Sequence, residues 1–128
     1  MVRPKTVRFG NALTKKLAKT EHSGQVNILE ARRWLSLNEN RSALATNQFG
    51  NTSGALDAVR TLYRAGAEKV FVVNPDYRYV ENEGGPYADT LLVKAKKGKE
   101  EAVLIAIMDY SPDDIQHLGR GIYRLWWD

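Results

Sequence analysis

The clearest alternation of apolar and polar positions runs through "NTSGALDAVRTLYRAGAEKVFVV" at 51–73. Leu56, Val59, Leu62 and Tyr63 recur at three- and four-residue spacing, with Asp57, Arg60 and Arg64 on the opposite side. That period gathers the apolar side chains on one helical face. Thr52 or Ser53 can supply the N-cap, and Gly66 a left-handed C-cap. The β-branched run "EKVFVV" then predicts a buried strand, so that helix and strand make half of a βαβ unit.

Upstream, "NILEARRWLSLN" carries Ile28, Ala31, Trp34 and Leu35 at helical spacing, with Asn27 as cap and Glu30 three residues on. It predicts a helix over 28–37. "RSALATN" at 41–47 is short and apolar at Ala43, Leu44 and Ala45, and reads as a strand. Residues 74–86 form a turn-rich loop. In "YADTLLVKAKK", Leu91, Val93 and Ala95 point one way and Thr90, Leu92, Lys94 and Lys96 the other. The apolar run in "KEEAVLIAIMDY" fits a helix or a buried strand by period alone, and its Lys, Glu, Ala, Leu and Met favour a helix. "SPDDIQHLG" predicts one more helical turn, with Ser111 as cap and Pro112 at the first position. Gly119 and Gly121 bracket a turn, and "IYRLWW" is the last strand.

From residue 41 the order is strand, helix, strand, strand, helix, strand. With right-handed crossovers and an antiparallel sheet, this predicts an α+β fold, a ferredoxin-like βαββαβ sandwich with an N-terminal helical extension. The expected core is Leu56, Val59, Leu62, Val70, Val72, Leu91, Val93, Leu104, Ile105 and Leu125. Alternation divides the last strand: Tyr123, Leu125 and Trp127 on one side, Ile122, Arg124 and Trp126 on the other. The first row is the more apolar. Trp127 is therefore expected in the core and Trp126 on the open face of the sheet, as a contact residue.

The stretches "LYRAGAEKVFVV", "YADTLLVK" and "RLWWD" together resemble small uncharacterised bacterial-type proteins with LYxAGA and YADTLxV segments and a C-terminal LWWD. The resemblance covers roughly residues 41–128. It implies a small stand-alone protein of this fold, and brings with it no activity and no site residue.

At 128 residues the chain suits one domain with an extension, a basic N-terminal segment at 1–24 and a single domain at 25–128. The absence of cysteine excludes disulfides, thiolate metal sites and cysteine nucleophiles, and fits the reducing cytoplasm. The longest apolar run, 102–108, is too short to cross a bilayer, and the basic start lacks the apolar stretch of a secretory signal. The net charge of +4 is unevenly placed. Arg3, Lys5, Arg8, Lys15, Lys16 and Lys19 fall within the first twenty residues without an acid, which leaves the rest of the chain at −2. A basic arm on a mildly acidic body points to nucleic acid, to an acidic protein surface, or simply to a solvated leader. Leu13 and Leu17, four apart, predict a short amphipathic helix within it.

"PDYRYVENEGGPY" interleaves Tyr77, Arg78, Tyr79 and Tyr87 with Asp76, Glu81 and Glu83. Aromatic and basic residues in alternation suit a partner surface or single-stranded nucleic acid, although the acids oppose the latter. The plainer reading is a hairpin tip whose tyrosines cover the core. Asp89 could pair with Asp57 or Asp128 for acid–base work, but nothing in the spacing requires it. His117, the one histidine of the body, is expected at a helix end. No phosphate loop, nucleophile elbow, zinc motif or dinucleotide fingerprint occurs. The sequence thus favours a non-catalytic interaction module without metal or cofactor. It would bind a protein or its own copy through Arg124, Trp126, Tyr77, Arg78 and Tyr79. Nucleic-acid binding through the basic arm and a ligand or enzyme pocket near 74–87 are the alternatives.

Overall fold

The computed structural model describes residues 27–77 and 84–128. The basic arm with its expected helix, and Arg78 and Tyr79, lie outside the described residues. In chain order the elements are β1 (Ile28–Glu30), α1 (Ala31–Leu37), α2 (Thr46–Phe49), α3 (Thr52–Ala65), β2 (Ala67–Val73), β3 (Thr90–Ala95), α4 (Glu100–Met108), β4 (Asp114–Gly119) and β5 (Ile122–Trp126). The fold is α+β. Among the described residues its sheet has five strands in the order β1-β2-β3-β5-β4, every neighbouring pair antiparallel.

α3 and β2 form as the sequence period predicts, with the cap one residue earlier. Asn51, not Thr52 or Ser53, is the N-cap: its Oδ1 accepts the Gly54 N–H at 2.7 Å. The Thr52 hydroxyl is engaged elsewhere, accepting from the Ala43 N–H at 2.9 Å and donating to the Asn40 carbonyl. Gly66 closes the helix at φ +123°, donating its N–H to the Leu62 and Tyr63 carbonyls. A Cβ here would stand 2.6 Å from the Cβ of Lys99, so both the backbone and the close approach of α4 require glycine. α4 is a helix, as its composition favours.

Three expected elements change. Residues 28–30 leave the predicted helix and pair with Val73, Val72 and Phe71 of β2. The helix begins at Ala31 with Glu30 as N-cap, whose carboxylate oxygens accept from the Arg32 and Arg33 N–H groups at 2.9 and 3.0 Å. Asn27 instead exchanges hydrogen bonds with Asn74, its N–H on the side-chain oxygen at 2.7 Å. Residues 41–47 form no strand. They make one isolated bridge, Leu44 to Ala88, before Ala45 turns to φ +40° and α2 begins. Residues 111–119 are not helical: Ser111 takes φ +47° and β4 follows, joined to β5 by Arg120 and Gly121 at φ +51° and +74°. Positive φ at both loop residues is what a tight two-residue hairpin demands. This hairpin places β5 between β3 and β4, so the strand order is not a clear βαββαβ.

The main core lies between the helices and one face of the sheet. It is built on Trp34, Leu35, Val59, Leu62, Val70, Val72, Leu91, Val93, Val103, Ile107, Leu125 and Trp127. Trp127 is buried as expected. Its indole N–H donates to the Tyr110 carbonyl at 2.8 Å, and its ring meets that of Phe49 edge-on at 5.2 Å. Leu56 and Leu104 are half-buried at the margin, and Ile105 lies outside the core altogether. The opposite face holds a second cluster, Ile28, Phe71, Val73 and Leu92, with Leu118 and Ile122 against it. The face expected to be open is therefore closed over β1, β2 and β3.

Candidate interaction surface

α3 lies between α1 and α4 in the helix layer, which makes α4 the outermost helix on the side of β4. Two contacts fix how α4 is turned. At its start, Glu100 stands against Gly121 at the head of β5, while Lys99 packs on Gly66 at the end of α3. Just past its end, the Tyr110 carbonyl receives Trp127. α4 thus runs the length of β5. The 3.6-residue period then carries the Glu100 flank through Leu104 and Met108 on the side of β4, and the Lys99 flank through Ala106 on the side of α3. Val103 and Ile107 face the sheet and are fully buried. Ile105 points the opposite way. It is 60% exposed and Met108 57%.

Among the described residues, β4 is the last strand on this side of the sheet. Ile115 leans on the core beneath α4, and the His117 ring stacks on Tyr123 at 4.5 Å. His117 is therefore a strand residue, not a helix end. Burial, and then the charge of Glu100, raise the Tyr123 phenol above its ordinary range. The acids Asp113 and Asp114 stand where β4 begins, and His117 and Arg120 towards its far end.

On the other face, Asp114 is in register with Trp126 and Gln116 with Arg124. Both expected contact residues therefore sit one strand in from the edge, and both are half-buried. The Trp126 indole N–H donates to Asp89 Oδ2 at 3.3 Å. Asp89 Oδ1 accepts from the Thr90 hydroxyl at 2.8 Å, and the Asp89 carbonyl from the Trp127 N–H at 3.1 Å. Asp89 thereby ties the start of β3 to the end of β5. Asp57 lies on the exposed side of α3, 3.9 Å from Arg60. Asp128 donates its N–H to Asp113 Oδ2 at 2.7 Å and accepts from the Asn47 side chain. The Asp89 and Asp57 carboxylates thus have separate partners, and Asp128 is held through its main chain.

Tyr77 is half-buried beside α1, where its hydroxyl accepts from the Trp34 indole at 3.4 Å. Tyr87 caps the entry to α2, its hydroxyl accepting from the Thr46 N–H at 3.3 Å. Both tyrosines cover the core at the loop. A shallow polar concavity beside the C-terminal turn is lined by Asn47, Gln48, Ser111, Asp113, Trp127 and Asp128, so its second wall comes from α2.

Sequence reasoning missed the outward row on α4. The signal was present in "AVLIAIM", seven apolar positions in succession. A helix lying on a sheet buries one side only, so such a run must leave a surplus facing out. No protein-family model, curated protein or solved structure matches the chain. Among the described residues no helix is long and apolar enough to cross a membrane.

Proposed function

We propose that the protein is a non-catalytic interaction module, working in the cytoplasm, that binds a protein or its own copy. Its surface is the outer flank of α4 on the side of β4, with Arg124 and Trp126 on the other face of the sheet. The observation that carries this reading is the outward placement of Ile105 and Met108 on a surface helix. Single exposed apolar residues are ordinary. Two neighbours on one helical stripe, beside a strand at the sheet margin, form a contiguous patch of the kind that marks interaction sites.

Site-specific photo-crosslinking in the native host tests this. A photoreactive side chain at position 105 or 108 should give a discrete covalent adduct, whether to a second copy or to another polypeptide. The same group at Arg60, exposed on α3, serves as control. Adducts equally abundant at position 60, or none at 105 and 108, would remove the reading.

A further inference from the structure

We infer that the occupant of this surface is a basic, amphipathic helix of another polypeptide. It lies along α4 on the side of β4, sets apolar side chains on Leu104, Ile105 and Met108, and brings lysine or arginine to the acidic end of α4. The inference rests on the interaction reading above and names the chemistry of the partner.

The shape of the surface suits a helix. Leu104 and Met108 form the flank of α4 that faces β4, and Ile105 stands next to them on the outer side. Below this flank, Ile115 and His117 project on the helix side of β4. Ile115 is half-buried beneath α4, and His117 is exposed with its ring stacked on Tyr123. The strand therefore makes a ledge beside α4. A helix laid on that ledge continues the helix layer at about 8–10 Å from α4. Its residues at i, i+3 and i+4 share one face, the spacing that reaches Leu104 and Met108 together. The contact is made by side chains on the helix side of β4 and not by the backbone of that strand.

Charge selects the partner. From Glu100 to Gly119 the chain has five acids, Glu100, Glu101, Asp109, Asp113 and Asp114, and no lysine or arginine. At the start of α4, Lys97 and Arg120 line the same hollow as Glu100 and offset its charge. At the other end the balance is different. Asp109 is the C-cap, the last turn holds no basic residue, and Asp113 follows four residues on. An acid at the negative pole of a helix is unfavourable, whereas a cation placed there is favourable. The apolar stripe thus ends at a place for a positive charge that α4 itself does not supply. A second copy fits this surface less well. Two α4 helices paired antiparallel about Ile105 would set Glu101 against Asp109, and a parallel pair would set each acid beside itself. The chain enters the described fold at β1, at the far margin of the sheet from β4, so the tether of its own basic arm is remote from this face.

Two experiments decide it. In the first, a fluorescein-labelled synthetic peptide of about 14 residues, with leucines four apart on one face and lysines on the others, is titrated with the full chain from about 1 μM to about 1 mM. One helix face buries less than ~1,200 Å², so the expected dissociation constant is about 10–100 μM, weakening as salt rises. Ile105→Ser and Asp109→Lys should each raise it about tenfold, with thermal melts showing the fold retained. Lysine is suited to the helix end at position 109. Glu39→Lys, an equal change of charge at an exposed position just past α1, should leave the affinity unchanged. A peptide with glutamates in place of the lysines should not bind. In the second experiment, the adducts formed at positions 105 and 108 in the native host are digested and sequenced by mass spectrometry. The crosslinked segment should belong to another polypeptide, carry net positive charge and have apolar residues at three- and four-residue spacing. Absence of peptide binding overturns the inference, as does binding that ignores Ile105→Ser and Asp109→Lys or responds equally to Glu39→Lys. So does an adduct that maps to an acidic or unpatterned segment, to α4 of a second copy, or to residues 1–24 of this chain. In each of these cases adducts at 105 and 108 leave the interaction reading standing. Where no adduct forms, both fall.

Discussion

The Tyr63 hydroxyl sits at the meeting point of α3, β2 and the start of α1. It donates to Glu30 Oε2 at 2.8 Å and accepts from the Val70 N–H at 3.0 Å, while the Arg32 guanidinium lies 3.7 Å above its ring. Glu30 is also the cap of α1, so one carboxylate serves a helix terminus, a phenol and Arg32, 3.6 Å away. Burial is the main cause that pushes the Tyr63 phenol from 10.0 up to about 12, with the negative charge of Glu30 adding to it. The folded state therefore favours the protonated phenol. That contribution to stability is complete below pH 10 and is lost as pH rises from 10 through about 12. Tyr63→Phe cannot titrate, so its unfolding free energy should fall less across this window than that of the parent chain. At neutral pH the variant should be weaker by about 1–3 kcal/mol, because the Val70 N–H loses its acceptor. Chemical denaturation at a series of pH values checks both. Parallel curves between pH 10 and 12 would contradict the assigned role of the phenol.

At the scale of elements, β5 shows how a two-residue period divides labour between adjacent side chains. Trp127 fills the space between Phe49 and Tyr110, whereas Trp126 is half-buried and holds one long hydrogen bond to Asp89. Trp127→Ala should cost roughly 3–5 kcal/mol of stability through the cavity it leaves. Trp126→Ala should cost clearly less. Denaturant midpoints of the two single variants decide the order, and a larger loss at Trp126 would mean that the facing of the strand is misassigned. α4 divides in a different way. Its apolar residues surround the axis, and packing alone selects Val103 and Ile107 for the core while turning Ile105 outward.

For the whole molecule, the sheet is a central layer with apolar residues buried on both faces over β1, β2 and β3. Leu91 and Leu92 are neighbours in β3 on opposite faces, and both are fully buried. Leu91→Ala and Leu92→Ala should therefore destabilise to a similar degree, each by about 2–5 kcal/mol. A near-neutral Leu92→Ala in a urea melt would show that the second face is not a packed core. Burial on the second face is deepest over β1, β2 and β3, and Leu118 of β4 and Ile122 of β5 pack against it partly buried. Towards β4 that face also carries the polar residues Asp114, Gln116 and Arg124.

The sequence by itself determined what depends on neighbours a few residues apart. The length of α3, its glycine stop at Gly66, the strands at 67–73 and 90–95 and the inward facing of Trp127 follow from local periods and local caps, and the helical state of 100–108 from composition. Arg124 and Trp126 were placed on the correct side of β5 by alternation alone. Tertiary structure decided the rest, because strand pairing is a bond between distant segments. Residues 28–30 are a strand only because Phe71–Val73 offer them a ladder, and their own apolar spacing fits a helix equally well. Residues 41–47 have a strand-like composition but gain only one bridge, so they stay irregular. Residues 114–119 become a strand because the positive-φ turn at Arg120 and Gly121 folds them back onto β5. The outward apolar row of α4 was hidden for the same reason. Seven successive apolar residues carry no helical phase, so only the packing of Glu100 on Gly121 and Lys99 on Gly66 could set which of them face the sheet and which face outward.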